Sequence, residues 1–326
     1  EAMKTEITDL MKHKTWKVVD QSEADKSNRK VTKSRWCYTI KLHRDGSIER
    51  FKARFVVCGY SQVKGEDYTH AFSATLRATS FRLLMAMAAG EKLSLEHFDV
   101  KNAFTQSEID AEIYTQAPKG FSQGVGKDGK PRVLKLIKSL YGTKQASRLW
   151  QLKLRDFLVN KMGFENCIVD SCLFVKRHND GGVMVIGVYV DDIILAHKGV
   201  DLNDFIRTFT GPDGFNAKHL GKLNWFLGMA VDQHDNGHIT INQQLYIKKL
   251  VEKFATKRLE KRAYPCKPYT FQKLRPAEND LEREKASRLP YLQLTGSLLY
   301  LSTMTRPDIA YHLSILCSLM HDPTKE

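Results

Sequence analysis

The sequence predicts an α+β fold. Strand and helix runs alternate irregularly along 326 residues, three pairs of strand runs are joined by short turns, and no internal repeat is present. The first pair, residues 36–41 and 51–57, flanks Arg44-Asp45-Gly46-Ser47, where Asp-Gly is a tight-turn signal. It reads as a β-hairpin with basic residues on one face. Thr79 or Ser80 then caps a helix over residues 81–89 that stops at Gly90. Residues 93–100 read as a strand carrying Asp99 at its end, and the Gly- and Lys-rich stretch 120–131 as an exposed loop. Trp150, Leu154, Phe157, Leu158 and Met162 recur at i, i+4, i+7, i+8 and i+12, with Gly163 just beyond, so this segment is an amphipathic helix. Residues 184–190 and 193–196 form a second hairpin with only Asp191-Asp192 between them. A third hairpin turns at Asn236-Gly237, between residues 225–231 and 239–241. Tyr246, Leu250 and Phe254 trace another helix, and Ile309, Leu313, Leu316 and Met320 a last one just after Pro307. Between these helices, residues 256–289 carry charge, three prolines and few aliphatic side chains, and residues 257–275 set seven basic groups against Glu260. That stretch reads as a linker or a solvated arm.

Composition bounds the function. With 42% hydrophobic and 27% charged residues the chain has enough apolar material for two or three packed subdomains. Lysine and arginine total 51 against 37 acids, a formal charge of +14, which makes a polyanionic partner the first idea and a merely soluble basic enzyme its equal rival. The longest apolar stretch, residues 181–190, stops at Asp191, far short of the roughly 20 residues of a spanning helix. No membrane partner is expected. Residues 1–16 are polar where a signal peptide needs an apolar core. The cysteines at 37, 58, 167, 172, 266 and 317 contain no CxxC spacing, which argues against a zinc site or disulfide framework and for reduced thiols in an intracellular protein. The chain begins at Glu1, with its first methionine at Met3, and reads as a piece of a longer polypeptide.

Asp191-Asp192 is the most informative local feature. With 21 aspartates in 326 residues, about one Asp-Asp pair arises by chance, so its setting matters more than its existence. A two-residue turn favours Asn-Gly or Asp-Gly, and adjacent anions repel unless a cation lies between them. Either this is a solvated acidic turn or it is a divalent-metal site lacking one carboxylate, for which Asp99 is the natural third member. Three such carboxylates suit two Mg²⁺ ions and phosphoryl transfer. Phe104, five residues after Asp99, is either a core aromatic or a ring placed beneath a nucleotide sugar.

These residues resemble, in order, the motifs of the reverse transcriptase region of copia-type LTR retrotransposon polyproteins, over almost the whole chain. Tyr189-Val190-Asp191-Asp192 resembles the YVDD box, and residues 98–104, FDVKNAF, the box of the first catalytic aspartate. Residues 140–150, LYGTKQASRLW, resemble LYGLKQAPRLW, and residues 51–56, FKARFV, resemble YKARLVA. Residues 226–229 resemble the FLG element, and residues 305–309 the TRPDI that precedes a ribonuclease H domain.

The resemblance implies a right-hand polymerase, with fingers in residues 1–90, a palm with interleaved fingers elements in 91–242, and a thumb and the start of the connection in 243–326. It implies RNA-directed DNA synthesis from deoxynucleoside triphosphates on an RNA or DNA template with a primer. Asp99, Asp191 and Asp192 become the catalytic carboxylates and ligands of two Mg²⁺ ions, with Asp99 and Asp191 the direct ligands of both, and with Mn²⁺ the alternative metal. Lys52 or Arg54 holds the triphosphate, Gln145 and Tyr189 contact the substrate, Phe104 gates against a ribose 2′-hydroxyl, and Phe226, Leu227, Gly228 and Met229 form the primer grip. The parent polyprotein adds ribonuclease H and integrase domains and places the protein in a cytoplasmic particle, with the nucleus as a second compartment. The surplus of positive charge is expected to line the groove leading to the three aspartates. Thr105-Gln106-Ser107, Thr143 and Ser147 depart from the family's Leu-Asn-Gly, Leu and Pro, so a catalytically decayed nucleic-acid-binding remnant stands as the alternative, and a two-metal nuclease as a third reading.

Overall fold

A computed structural model describes residues 1–42, 47–255 and 274–324. The expected Asp45-Gly46 turn and residues 257–273 of the basic stretch lie outside the described residues. The architecture is α+β, in two compact units: Glu1–Ser80 with Leu93–Lys222, and Phe81–Lys92 with Leu223–Glu326. Most of the helix before Asp99 and the small sheet after Lys222 belong together in the second unit.

In the first unit, α1 (Ala2–Lys12), β1 (Trp16–Val19), α2 (Gln21–Lys26) and β2 (Val31–Thr32) precede a long two-stranded ribbon of β3 (Ser34–Leu42) and β4 (Ile48–Val57). α1 was not foreseen: residues 1–16 of the chain look polar, yet Glu6, Ile7 and Leu10 share one buried face. The chain passes through α3 (Ala78–Glu91), which spans the junction of the two units, into β5 (Ser94–Val100), then β6 (Tyr114–Gln116) and β7 (Val133–Leu136). A four-stranded sheet runs β1-β7-β6-β2. Leu10, Phe55, Val57, Ile113, Leu134, Leu136 and Leu140 form the core beneath it.

The remaining elements of this unit are α4 (Ala146–Asp156), β8 (Glu165–Asn166), β9 (Leu173–Arg177), β10 (Val183–Tyr189), β11 (Asp192–Lys198), α5 (Leu202–Thr210) and β12 (Ala217–Lys222). α4 is the expected amphipathic helix, but its last turn, Phe157–Lys161, is a π-helix before Gly163 takes a φ of 72°. A six-stranded antiparallel sheet runs β12-β5-β11-β10-β9-β8. Along β5 the side chains alternate between its faces. Glu96, Phe98 and Val100 are buried on one face, where the Phe98 ring meets Phe205 and Phe209 of α5 edge-on at 5.4 and 5.8 Å. His97 and Asp99 therefore occupy the opposite face, which frees Asp99 for chemistry.

In the second unit, β13 (Trp225–Phe226), β14 (Met229–Gln233) and β15 (Ile239–Asn242) form a small sheet, followed by α6 (Gln244–Phe254). The third hairpin turns at Gly237 as expected, with φ 87°. α7 (Asp280–Ser287) lies inside the stretch read as a linker, capped by Asn279, whose side-chain oxygen accepts from the Glu282 N–H at 3.0 Å. α8 (Tyr291–Met304) and α9 (Ala310–Ser318) complete the chain. Phe226 stacks on Phe81 at 5.2 Å. No helix of the described residues is long and apolar enough to cross a membrane.

Candidate active site

The carboxylates meet through strand register. In the β5–β11 pair Asp99 stands opposite Asp192, and in the β10–β11 hairpin Asp192 stands opposite Tyr189. The two turn residues are therefore Val190 and Asp191, not Asp191 and Asp192, because Asp192 already belongs to the ladder. Val190 has a φ of 58°, and the following residue does not share the positive sign, the pattern of a type II′ turn whose first position favours glycine. A β-branched residue there carries strain of about 1–3 kcal/mol and persists only where its surroundings hold it. Two bonds do so. The Trp150 indole Nε1 donates to the Val190 carbonyl at 2.7 Å, and the Val100 N–H, next to Asp99, donates to the Asp191 carbonyl at 2.9 Å.

Asp99 and Asp191 both line a cleft of about 1000 Å³. Burial pushes the Asp191 carboxyl above its usual range, repulsion from Asp192 and Asp99 adds to this, and its own backbone N–H and the Arg54 charge oppose it. Asp192 is not part of the cleft wall; its Oδ1 is hydrogen-bonded to His97 Nε2 at 3.1 Å. Among the described residues no group of three or more His, Cys, Asp or Glu side chains is arranged to hold a metal ion. Of the three expected ligands, Asp99 and Asp191 line the cleft, and Mg²⁺ in sites that also take phosphate is commonly held by one or two carboxylates, with phosphate oxygens and water as further ligands. The donor set fits such an ion.

The opposing wall comes from β4 and α1. Lys52 lines the cleft, and burial together with repulsion from Arg54, Lys41 and Arg50 lowers its pKa. Arg54 points its guanidinium carbon over the Tyr141 ring at 5.4 Å, and its buried Nε has no hydrogen-bond partner. Glu6 of α1 accepts from the Phe55 N–H at 3.2 Å and is raised by burial against the pull of Lys52 and Arg54. Among the described residues that line this cleft, Lys12, Arg50, Lys52 and Lys101 stand with Glu1, Glu6, Asp9, Asp99 and Asp191, so the described wall carries no positive surplus.

Tyr141 is the residue sequence reasoning missed. It lines the cleft, meets the Phe104 ring edge-on at 5.2 Å, and burial pushes its hydroxyl up to about 12. Its carbonyl accepts from the Val57 N–H at 2.8 Å, and Gly142, at φ 91°, lets this loop lie against the end of β4. Gln145, in the same motif, is fully buried. Its amide nitrogen donates to the Asp67 carbonyl at 2.8 Å and Asp110 Oδ1 at 3.2 Å, and its oxygen accepts from Gln62 at 3.2 Å. The signal for Tyr141 was its place in the motif of residues 140–150, where Gln145 alone was expected to contact substrate. Phe104 does not itself line the cleft and touches it through Tyr141. Tyr189 is half-buried at the closing pair of the hairpin.

In the second unit, Leu227 and Gly228 have φ of 48° and 81°, a two-residue turn of type I′ that requires glycine at its second position. Phe226 and Met229 pair across it and are buried, while the Tyr300 hydroxyl donates to the Leu227 carbonyl. Only Leu227 and Gly228 of this element are partly exposed.

The departures from the family pattern are well accommodated. Thr105 Oγ1 donates to the Asn102 carbonyl at 2.9 Å, Ser107 to Phe104 at 3.1 Å and Thr143 to Leu140 at 2.9 Å. Gln106 donates to the Lys101 carbonyl at 2.8 Å and accepts from the Asn216 N–H at 3.0 Å.

The family model described as "Reverse transcriptase (RNA-dependent DNA polymerase)" matches residues 13–268. The chain belongs to that family. It is 33% identical over 330 residues to the Retrovirus-related Pol polyprotein from transposon TNT 1-94 of Nicotiana tabacum, covering all of this chain and 24% of that protein. With the corresponding polyprotein from transposon RE1 of Arabidopsis thaliana the identity is 34% over 333 residues, all of this chain and 21% of the relative. The putative transposon Ty5-1 protein YCL074W of Saccharomyces cerevisiae is 31% identical over 69% of this chain and 70% of its own length. A foamy viral protease-reverse transcriptase solved with double-stranded DNA aligns at TM-score 0.39 and 13% identity, over all of this chain and 48% of that one. The reverse transcriptase is thus of copia type, and the chain spans about a fifth to a quarter of the length of the two plant polyproteins.

Proposed function

We propose that this reverse transcriptase domain extends a primer on an RNA or DNA template by nucleotidyl transfer. The primer 3′-hydroxyl attacks the α-phosphorus of a deoxynucleoside triphosphate, the bond to the β-phosphate oxygen breaks, and pyrophosphate leaves. The observation that carries this reading is the joint exposure of Asp99 and Asp191 to one cleft whose opposite wall holds Lys52. Asp99 and Asp191 would hold Mg²⁺, or Mn²⁺ in its place, and Asp192 supports them through its pairing opposite Asp99. Bound metal ions at these carboxylates supply charge neutralisation at the phosphates and acidify the primer hydroxyl. Lys52 or Arg54 receives the triphosphate, Tyr141, backed by the Phe104 ring, forms the wall against its sugar and base, and the Leu227-Gly228 turn supports the primer. In-line placement and electrostatics do the catalytic work.

The partners follow from the same reading: template with primer, deoxynucleoside triphosphates, and ribonuclease H and integrase domains in the longer polyprotein, within the cell and away from membranes. Primer extension by the purified chain with Mg²⁺ tests it. Wild type should elongate a labelled primer and Asp191→Asn should lose at least about a hundredfold in rate. Salt-sensitive duplex binding without elongation would establish the decayed remnant instead, and shortening of the primer a nuclease.

A further inference from the structure

We infer that Trp150 is a positioning residue for this active site, holding the Asp191 carboxylate in its productive direction through the backbone of the strained turn. The inference rests on the polymerase reading above. Trp150 is fully buried on the inner face of α4, its ring edge-on to Phe215 at 5.0 Å, and its single polar atom is spent on the Val190 carbonyl at 2.7 Å. That carbonyl belongs to the peptide linking Val190 to Asp191. Rotation of this peptide is what interconverts the two-residue hairpin turns, and it would swing the Asp191 side chain relative to Asp99. The φ of 58° at Val190 is disfavoured for a β-branched residue, so local preference does not hold the turn. The Val100 N–H fixes the next carbonyl, that of Asp191, at 2.9 Å. Asp191 thus stands between two backbone anchors, one from the strand that carries Asp99 and one from the indole.

The test replaces the donor while keeping the ring. Trp150→Phe is the simple variant, and 3-benzothienylalanine at position 150 puts sulfur in place of the N–H at constant shape. In single-nucleotide incorporation both should lower kcat about 10- to 30-fold with the KM for the nucleotide within about twofold, since the bond orients a carboxylate and touches no substrate. Backbone hydrogen exchange supplies a readout independent of turnover. The Val100 amide, bonded to the turn, should exchange at least about tenfold faster, while amides of the β9–β10 ladder keep their protection. Wild-type kcat with unchanged Val100 exchange in the sulfur isostere overturns the inference, as does a uniform rise in exchange across the unit. An inactive wild-type chain would sink the polymerase reading, and the Val100 exchange would still decide whether Trp150 holds the turn.

Discussion

Gly142→Ala probes how the cleft wall is built. A Cβ on Gly142 would stand 2.0 Å from the Val57 carbonyl oxygen, where real Cβ atoms do not come within 3.0 Å, so the loop must retreat from β4 by about 1 Å. The φ of 91° adds left-handed strain of about 1–2 kcal/mol, and the overlap with backbone about 1–3 kcal/mol. The expected loss is about 2–5 kcal/mol, which for a unit of roughly 200 residues lowers Tm by roughly 5–20 °C. Gly59→Ala isolates the overlap, because its Cβ would meet the Gly142 carbonyl oxygen at 2.0 Å without a positive φ. It should cost less than Gly142→Ala by the left-handed term alone. Tyr141 rides on this loop, and a shift of about 1 Å in a positioning group lowers kcat/KM for nucleotide incorporation by up to about 10²-fold. Calorimetry and single-nucleotide kinetics measure both. A Gly142→Ala protein with Tm within about 1 °C of wild type and unchanged kcat/KM would refute the reasoning.

Asp191→Asn should raise Tm at neutral pH in the absence of metal. The carboxyl is raised in the folded state, so its ionisation costs stability that appears as pH rises above the unfolded value near 4; the gain should vanish below that pH, and a variant less stable than wild type at pH 7 contradicts it. Tyr141, held at about 12 against about 10 when unfolded, makes wild type lose stability as pH climbs from 10 to 12. Urea midpoints for Tyr141→Phe should fall less over that interval, and equal falls would remove the burial argument. Phe104→Ala should reduce discrimination against ribonucleotides by at least about tenfold in competition assays; undiminished discrimination takes the gate role away from this ring.

The fold was legible where local chemistry speaks. Hairpins at residues 184–198 and around Gly237, and the helix through Trp150 and Leu154, follow from turn residues and periodicity. α8 was invisible because Gln293, Thr295, Ser297, Ser302 and Thr303 are spread around its apolar residues, leaving no amphipathic period to detect. α7 was hidden by its charge, and its support is the Arg275 guanidinium, bonded to both Glu282 oxygens at 2.9 Å, together with the Asn279 cap. Neither pairing follows from a window of composition.

By itself the sequence pointed to the family and nominated the carboxylates, because Asp99 and the Asp191-Asp192 pair sit in motifs that occur in the family's order. Tertiary structure decided how they are placed. Cross-strand register set Asp192 opposite Asp99 and His97 drew its carboxylate aside, while the turn carried Asp191 to the cleft. The same holds for the motif at residues 140–150, where Gln145 is spent on buried hydrogen bonds, Tyr141 reaches the cleft and Trp150 holds the turn. A motif records which side chains are present. Which of them face solvent depends on backbone approaches, such as Gly142 against Val57, made between segments more than 80 residues apart.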